Sequence, residues 1–357
     1  MSNGHALLSA SSSHRWLNCT PSARLSEQFK ENESEYAKEG TLAHSVAERL
    51  LKGLKVTDDI SPAMEYYVKQ YVDFCRGTLA KYTDGKMLIE QRLELSKYVP
   101  KSFGTADCLI LSKKEKRLDV IDLKYGRGVL VEAENNPQLM LYGLGCLEVA
   151  KANGIDVEVV SGTIFQPRLQ NISNFILTRK ELEAWGNEIM PTAIKSYFGY
   201  GETKSGDWCR FCPAKVRCRS YADKFKKLIM LNNKSYNTLT DDELAQLLDS
   251  MVELSTYINA IKEELKQAIL NGGNPKGYQL KEVSGPKILT PQAIAYLDML
   301  EVKTTEEKQC SITKLKSVYG GKFIDDAIEG LTLQGPPRYQ LVKTKDNLAD
   351  VFKGIND

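Results

Sequence analysis

Apolar positions along this chain recur with two different periods, and the switches between them mark out its elements. Residues 9–25 read as a short helical entry, with serines suited to cap a helix carrying Trp16 and Leu17 and with Cys19 just beyond it. Leu42, Val46 and Leu50 then repeat at helical spacing after Gly40, predicting a helix over 41–52, and another is expected over 62–81. Three stretches read as strands in close succession, 87–95, 106–112 and 117–124, the last two joined by a charged turn at 113–116. This is the pattern of a β-meander. A helix over 137–152, closed by Asn153-Gly154, and a strand over 157–166 follow. The expected fold is therefore α/β, in the order helix, three strands, helix, strand.

A helix over 179–198 leads into a cysteine cluster, and beyond Tyr221 a lysine-rich stretch precedes a long amphipathic helix over 241–271. Gly272-Gly273-Asn274-Pro275 breaks that helix; a short strand at 278–283 and two helices are expected after it. The reading divides the chain into a first domain of residues 1–225 and a mostly helical accessory region of residues 226–357.

Composition narrows the picture only a little. The 357 residues are 42% hydrophobic and 26% charged, which allows a real core and about two domains. Lys and Arg total 48 against 46 Asp and Glu, so a net charge of +2 gives no whole-molecule attraction for nucleic acid, and any such site must be a local basic patch. There is no apolar run of about 18 residues, and the opening MSNGHALLSASSSHRW lacks a secretion-signal layout. The expectation is a cytoplasmic protein without membrane contact, its 8 cysteines reduced.

The candidate chemistry begins in the third strand, R-L-D-V-I-D-L-K, where Asp122 and Lys124 are two positions apart and so share a face. Asp107 lies in the preceding strand after Phe103-Gly104-Thr105, and a hairpin brings its carboxylate beside Asp122. Two such carboxylates suit Mg²⁺, which prefers oxygen ligands and keeps several waters. Hydrolysis of a phosphodiester needs an activated water and stabilised negative charge on the phosphorus oxygens, roles that fit a bound cation with an ammonium beside it. By itself D-x-K is common on solvated strand edges.

The surrounding motifs carry more. Gly104-Thr-Ala-Asp107, Ile121-Asp-Leu-Lys124 and Gln138-Leu-Met-Leu-Tyr142, preceded by Gly40-Thr-Leu-Ala-His44, resemble in kind and order the RecB-like branch of the PD-(D/E)XK nucleases. The resemblance covers about residues 8–221. It implies a restriction-endonuclease-like core and a nuclease using Mg²⁺ or Mn²⁺. Asp107, Asp122 and Lys124 would be catalytic, with His44 an additional metal ligand and Gln138 and Tyr142 beside the substrate.

Trp208-Cys-Arg-Phe-Cys-Pro-Ala-Lys-Val-Arg-Cys218 has the spacing C-x2-C-x5-C, three thiols within reach of one centre and no fourth nearby. The same nuclease branch includes members, similar to the AddB nuclease domain and the Fe-S nucleases of CRISPR adaptation, whose N-terminal cysteine joins three C-terminal ones around a [4Fe-4S] cluster. That resemblance implies Cys19, Cys209, Cys212 and Cys218 as the ligand set, although the usual Cys-Pro is here Cys19-Thr20-Pro21. Zinc in a closed four-thiolate site is the rival. Cys75, Cys108, Cys146 and Cys310 fall in apolar stretches and read as packing residues.

Basic residues gather at Lys113, Lys114, Lys116 and Arg117, at Arg210, Lys215, Arg217 and Arg219 around the cysteines, and at Lys224, Lys226 and Lys227 beyond them. The group near the cysteines is the candidate phosphate contact. The expected function is a DNA nuclease acting on ends or single strands in phage or prophage recombination, repair or replication. With no G-x-x-x-x-G-K-[ST] present, unwinding or annealing would fall to a helicase or to a single-strand annealing or binding protein. The alternatives are a non-catalytic DNA-binding scaffold subunit and a zinc-stapled RNA-processing nuclease.

Overall fold

In the computed structural model of the chain, residues 6–29, 35–57, 59–126, 128–229, 241–284, 286–302, 304, 311–319, 321–334, 336 and 338–343 are described. They fall into two compact units, Met1–Ser235 and Tyr236–Asp357.

The first unit begins with two short helices where one was expected, α1 (Ser13–Asn18) and α2 (Ser22–Ser26). Cys19, at φ −133° and ψ 87°, leaves the helical region between them, and Pro21 has no amide proton to continue a helix. Next come α3 (Glu35–Leu51) and α4 (Pro62–Leu79), the latter capped by the Ser61 hydroxyl. The strands β1 (Lys86–Glu94), β2 (Phe103–Ser112) and β3 (Arg117–Leu123) form the antiparallel meander. The chain crosses through α5 (Pro137–Ala152) to β4 (Val159–Gln166), which lies parallel to β3. This gives the expected order of helix, three strands, helix and strand.

One strand escaped the sequence reading. β5 (Asn171–Thr178) pairs antiparallel with β4 and closes a five-stranded sheet in the order β1-β2-β3-β4-β5. As an edge strand it buries Phe175 but leaves Ile172 and Ile176 exposed, which blurs its hydrophobic alternation. α6 (Arg179–Phe198) begins at a capping box between Thr178 and Glu181, and α7 (Arg219–Ile229) ends the described part of the unit.

Alternation along the strands divides the core between the two faces of the sheet. Leu109, Leu111, Leu118 and Val120 pack on one face with Leu139, Leu144 and Leu182 from α5 and α6. Cys108, Ile110, Ile121 and Leu123 pack on the other with Val46 from α3 and Val68, Tyr71 and Cys75 from α4. α5 is buried nearly all round, because both the sheet and α6 lie against it. Cys75, Cys108 and Cys146 are free thiols at 0% exposure, as packing residues should be, whereas Cys310 lies outside the described residues.

The second unit contains α8 (Asp241–Leu270), β6 (Tyr278–Val283), β7 (Lys287–Leu289), α9 (Pro291–Met299), α10 (Ile312–Tyr319), α11 (Gly321–Ala327), β8 (Thr332–Gln334) and β9 (Arg338–Lys343). Its strands pair as β6-β9 and β7-β8. Leu289, Ala293, Leu297, Val302, Leu315, Ile324 and Ile328 form its core. Among the described residues no helix is long and apolar enough to cross a membrane.

Candidate active site

The pairing of β2 with β3 sets Cys108 against Ile121 and leaves Asp107 and Asp122 as the next residue of each strand, just beyond that last pair. Asp122 meets α5 through Gln138, and Asp107 meets α3 through His44. The charge of Asp107 bears on Asp122 across the hairpin. Asp107 is fixed at one oxygen: its Oδ2 accepts the amide proton of Leu123 at 2.7 Å. Its other oxygen, Oδ1, lies 3.2 Å from His44 Nδ1, delivered by α3.

Asp122 is 2% exposed. Its Oδ2 faces Lys124 Nζ at 2.9 Å as an ion pair but accepts no well-aligned hydrogen bond. Gln138 ties this pair to α5. Its Oε1 accepts from Lys124 Nζ at 2.9 Å, while its Nε2 donates to Asp122 Oδ1 at 3.3 Å and to Tyr142 Oη at 3.2 Å. That arrangement satisfies both ends of the amide and so sets its orientation. Gln138 sits in the first turn of α5 because Asn136 caps the helix, accepting from the amides of Gln138 and Leu139 at 3.0 and 3.3 Å, with Pro137 at the first helical position. Tyr142 lies one turn further along the same face.

The glycine of the Gly104-Thr-Ala-Asp107 motif has a steric reason. A Cβ at Gly104 would come within 2.9 Å of the Tyr142 ring, which is itself buried. Only a residue without a side chain lets β2 and Tyr142 approach this closely.

Glu90, a residue the sequence reading passed over, belongs to the same constellation. Ile89 pairs with Cys108 and Gln91 with Ala106, so Glu90 stands opposite Asp107 on its other side. One donor atom each from His44, Glu90 and Asp107 lie within 4.8 Å of one another, a grouping able to hold a metal ion. The strand M-L-I-E-Q-R-L-E shows Glu90 as one polar position among several, and only its register against Asp107 sets it apart.

The electrostatics match this crowding. Burial pushes the Asp122 carboxyl up, an effect opposed by Lys124 and reinforced by Asp107. Burial likewise lifts Glu90, helped by the Asp107 charge, to about 7. For His44, burial acts downward, but the charge and hydrogen bond of Asp107, with Asp122 behind it, carry it up to about 8. Burial also raises the Tyr142 hydroxyl.

Residues 14–24 clasp the last turn of α6 and the segment that follows it. His14 Nε2 pairs with Asp207 Oδ2 at 3.0 Å, and Arg15 Nη1 donates to the Phe211 carbonyl at 3.3 Å. The Ser196 hydroxyl donates to Trp16 O at 2.8 Å, and Arg24 Nε donates to Tyr197 O at 2.7 Å. These contacts bring Cys19 to the other three cysteines. Burial raises the Cys19 and Cys209 thiols, and the charges of the neighbouring cysteines in the set raise them further. The amide of Lys204 points to Cys19 Sγ and that of Gly206 to Cys209 Sγ, each at 3.5 Å. Cys19 and Cys209 thus lie within electrostatic reach of Cys212 and Cys218, with one amide directed at each of the first two.

The basic groups are used unevenly. In the turn, Lys116 pairs with Glu158, and Arg117 pairs with Asp119 at 3.1 Å. Near the cysteines, Arg210 Nη2 donates to Gly128 O at 3.3 Å, and Lys215 Nζ donates to Arg210 O at 2.9 Å. Arg210, Arg217 and Arg219 are exposed. The side chains of Lys226 and Lys227 lie outside the described residues.

The chain belongs to the family described as Protein of unknown function (DUF2800), whose match spans residues 5–348. Among solved structures it is similar to a candidate exonuclease from Eubacterium rectale, at 12% identity over 66% of this chain and 92% of that one, with a TM-score of 0.34. It is also similar to SSO0001, at 14% identity over 60% of this chain and 86% of that one, with a TM-score of 0.32.

Proposed function

We propose that this DUF2800 chain is a Mg²⁺- or Mn²⁺-dependent DNA nuclease of the PD-(D/E)XK type. The observation that carries the reading is the joining of four segments at one point. α3 brings His44, β2 brings Asp107, β3 and its end bring Asp122 and Lys124, and α5 brings Gln138 and Tyr142, all linked through the contacts above. The order of motifs in the sequence supports the same conclusion.

The donor set fits a divalent cation, which His44, Asp107 and Asp122 would hold. When bound, such a cation acidifies water and neutralises charge on a phosphodiester. The chain's own groups do the rest. Asp107 is fixed by the Leu123 amide, so its other oxygen, which faces His44, keeps a set position. Lys124 presents an ammonium beside Asp122, held by Gln138, where it can hydrogen-bond an attacking water or a phosphate oxygen. Gln138 and Tyr142 orient the ammonium and line the substrate side.

Cys19, Cys209, Cys212 and Cys218 would hold a [4Fe-4S] cluster that ties the start of the chain to the segment after α6. The exposed arginines around them would contact the phosphates of DNA ends or single strands. The setting is phage or prophage recombination, repair or replication, where a helicase or a single-strand annealing or binding protein would supply what the chain lacks.

The test is to incubate the full chain with Mg²⁺ or Mn²⁺ and end-labelled single-stranded DNA, double-stranded DNA and RNA. Cleavage of DNA, lost with chelator and in Asp122→Ala, is the expected result. DNA binding without cleavage would assign a scaffold subunit. Cleavage of RNA alone by a zinc-containing preparation would assign an RNA-processing nuclease.

A further inference from the structure

Three adjacent strands each carry one carboxylate of this site. The registers set Glu90 opposite Asp107, between the pairs Ile89–Cys108 and Gln91–Ala106, and leave Asp107 and Asp122 as the next residues past Cys108–Ile121. Like charges directly opposite one another weaken a sheet, and Glu90 and Asp107 are such a pair. Glu90 also adopts φ 50°, left-handed backbone that is uncommon outside glycine. The other non-glycine residues of the first unit with positive φ, Lys101, Lys116, Asn135 and Gln170, lie outside the strands.

The group is not simply an acidic patch. The imidazole of His44 enters it at Asp107, 3.2 Å from Oδ1, which is close to the separation of about 3.0 Å expected for neighbouring donors on an octahedral ion with bonds of about 2.1 Å. Beside it Asp122, 2% exposed, has its Oδ2 taken up by Lys124 Nζ at 2.9 Å. Asp122 is drawn toward Lys124 and Gln138, whereas Glu90 has His44 and Asp107 as its near neighbours.

We propose that Glu90 is a protein ligand of the divalent cation, in a seat it forms with His44 Nδ1 and Asp107. One nitrogen and two carboxylates make a mixed donor set suited to Mn²⁺, with coordination positions left for water and for phosphate oxygens. The three donor atoms already lie within 4.8 Å of one another. Two donors on opposite sides of such an ion are about 4.2 Å apart, so closure needs only side-chain adjustment. The inference rests on the nuclease reading for its purpose, but its test does not depend on cleavage.

The experiment is a calorimetric titration of metal-free full-length protein with Mn²⁺, comparing wild type, Glu90→Gln, Glu90→Asp and Glu94→Gln. Glu94 is an exposed carboxylate of the same strand whose partner is Ser96, and it serves as the control. Glu90→Gln and Glu90→Asp are expected to weaken Mn²⁺ binding about tenfold or more, with Glu94→Gln unchanged. Melting in chelator establishes that each variant is folded, and the rise in melting temperature on adding Mn²⁺ gives a second readout, expected to shrink in both Glu90 variants. Wild-type affinity in Glu90→Gln, or no Mn²⁺ binding by wild type, overturns the proposal. Glu90-dependent binding without DNA cleavage upholds the seat and sinks the nuclease reading. Cleavage with Mn²⁺ binding indifferent to Glu90 does the reverse.

Discussion

Lys124 Nζ lies 2.9 Å from Asp122 Oδ2, and the carboxylate of this pair is almost wholly buried. The two residues therefore answer differently to removal. Asp122→Ala deletes a buried charge together with its place in the metal site. Cleavage should fall at least about 100-fold, the effect of roughly 3 kcal/mol of lost transition-state stabilisation, while the fold persists. Lys124→Ala should be equally inactive but also less stable, because it strands the Asp122 carboxylate without its counter-charge. Rates per folded molecule, read beside melting curves, check both. Full activity in either variant would remove that residue from the machinery.

Gly104→Ala separates packing from chemistry. The added Cβ would press on the Tyr142 ring, at a cost of about 1–3 kcal/mol for overpacking. Tyr142 accepts a hydrogen bond from Gln138, which holds Lys124, so the disturbance reaches the ammonium. Lower stability and slower cleavage are expected together. Gly77→Ala, in α4 where a Cβ meets nothing within 4 Å, should leave cleavage unchanged and raise stability by about 0.5–1 kcal/mol through helix propensity.

The stability of metal-free protein should depend on pH through the same site. Folding raises Glu90 from 4.5 to about 7 and His44 from 6.5 to about 8. A raised value means that the folded state holds its proton longer than the unfolded chain does. The stabilising contribution is then complete below the unfolded value and lost as pH climbs through the folded one. Glu90 contributes across the window 4.5 to about 7, and His44 across 6.5 to about 8. In chelator, the melting temperature should decline from about pH 5 to about pH 8.5, and Glu90→Gln combined with His44→Gln should flatten that decline. An identical slope in the double variant would mean that other groups set the dependence.

Most of this site is legible before folding because its spacing is local. Asp122 and Lys124 are two apart on a strand, and Gln138 and Tyr142 are four apart on a helix, so secondary structure alone puts each pair on one face. Asp107 needs one hairpin. Glu90 needs the register of a second pairing, and nothing in its own strand shows which residue of β2 it will oppose. Edge exposure hid β5 in a similar way, since the apolar Ile172 and Ile176 face outward where alternation predicts polar residues. The break between α1 and α2 was signalled by Cys19-Thr20-Pro21, a departure from the family pattern that also places Cys19 at the turn.

That turn makes the cysteine set a question of stability. Cys19 is far in sequence from Cys209, Cys212 and Cys218, so a shared centre closes a very long loop and its binding free energy adds to the stability of the fold. Contacts such as Arg24 with Tyr197 O and Ser196 with Trp16 O already hold the ends together, but hydrogen bonds of this kind contribute only about 1 kcal/mol each. Anaerobically purified protein should be brown and hold about four irons per chain; colourless protein with stoichiometric zinc would assign the site to zinc. Cys19→Ser should lose metal and melt well below wild type, while whatever remains folded keeps its cleavage rate, since the active-site groups come from other segments. Cys75→Ser is the comparison, a fully buried thiol on α4 with no part in the cluster. It should lower the melting temperature through packing alone and leave the iron content intact. If Cys19→Ser retains its metal and its melting temperature, Cys19 is not the fourth ligand, and the clasp between residues 14–24 and 196–211 stands on hydrogen bonds and packing alone.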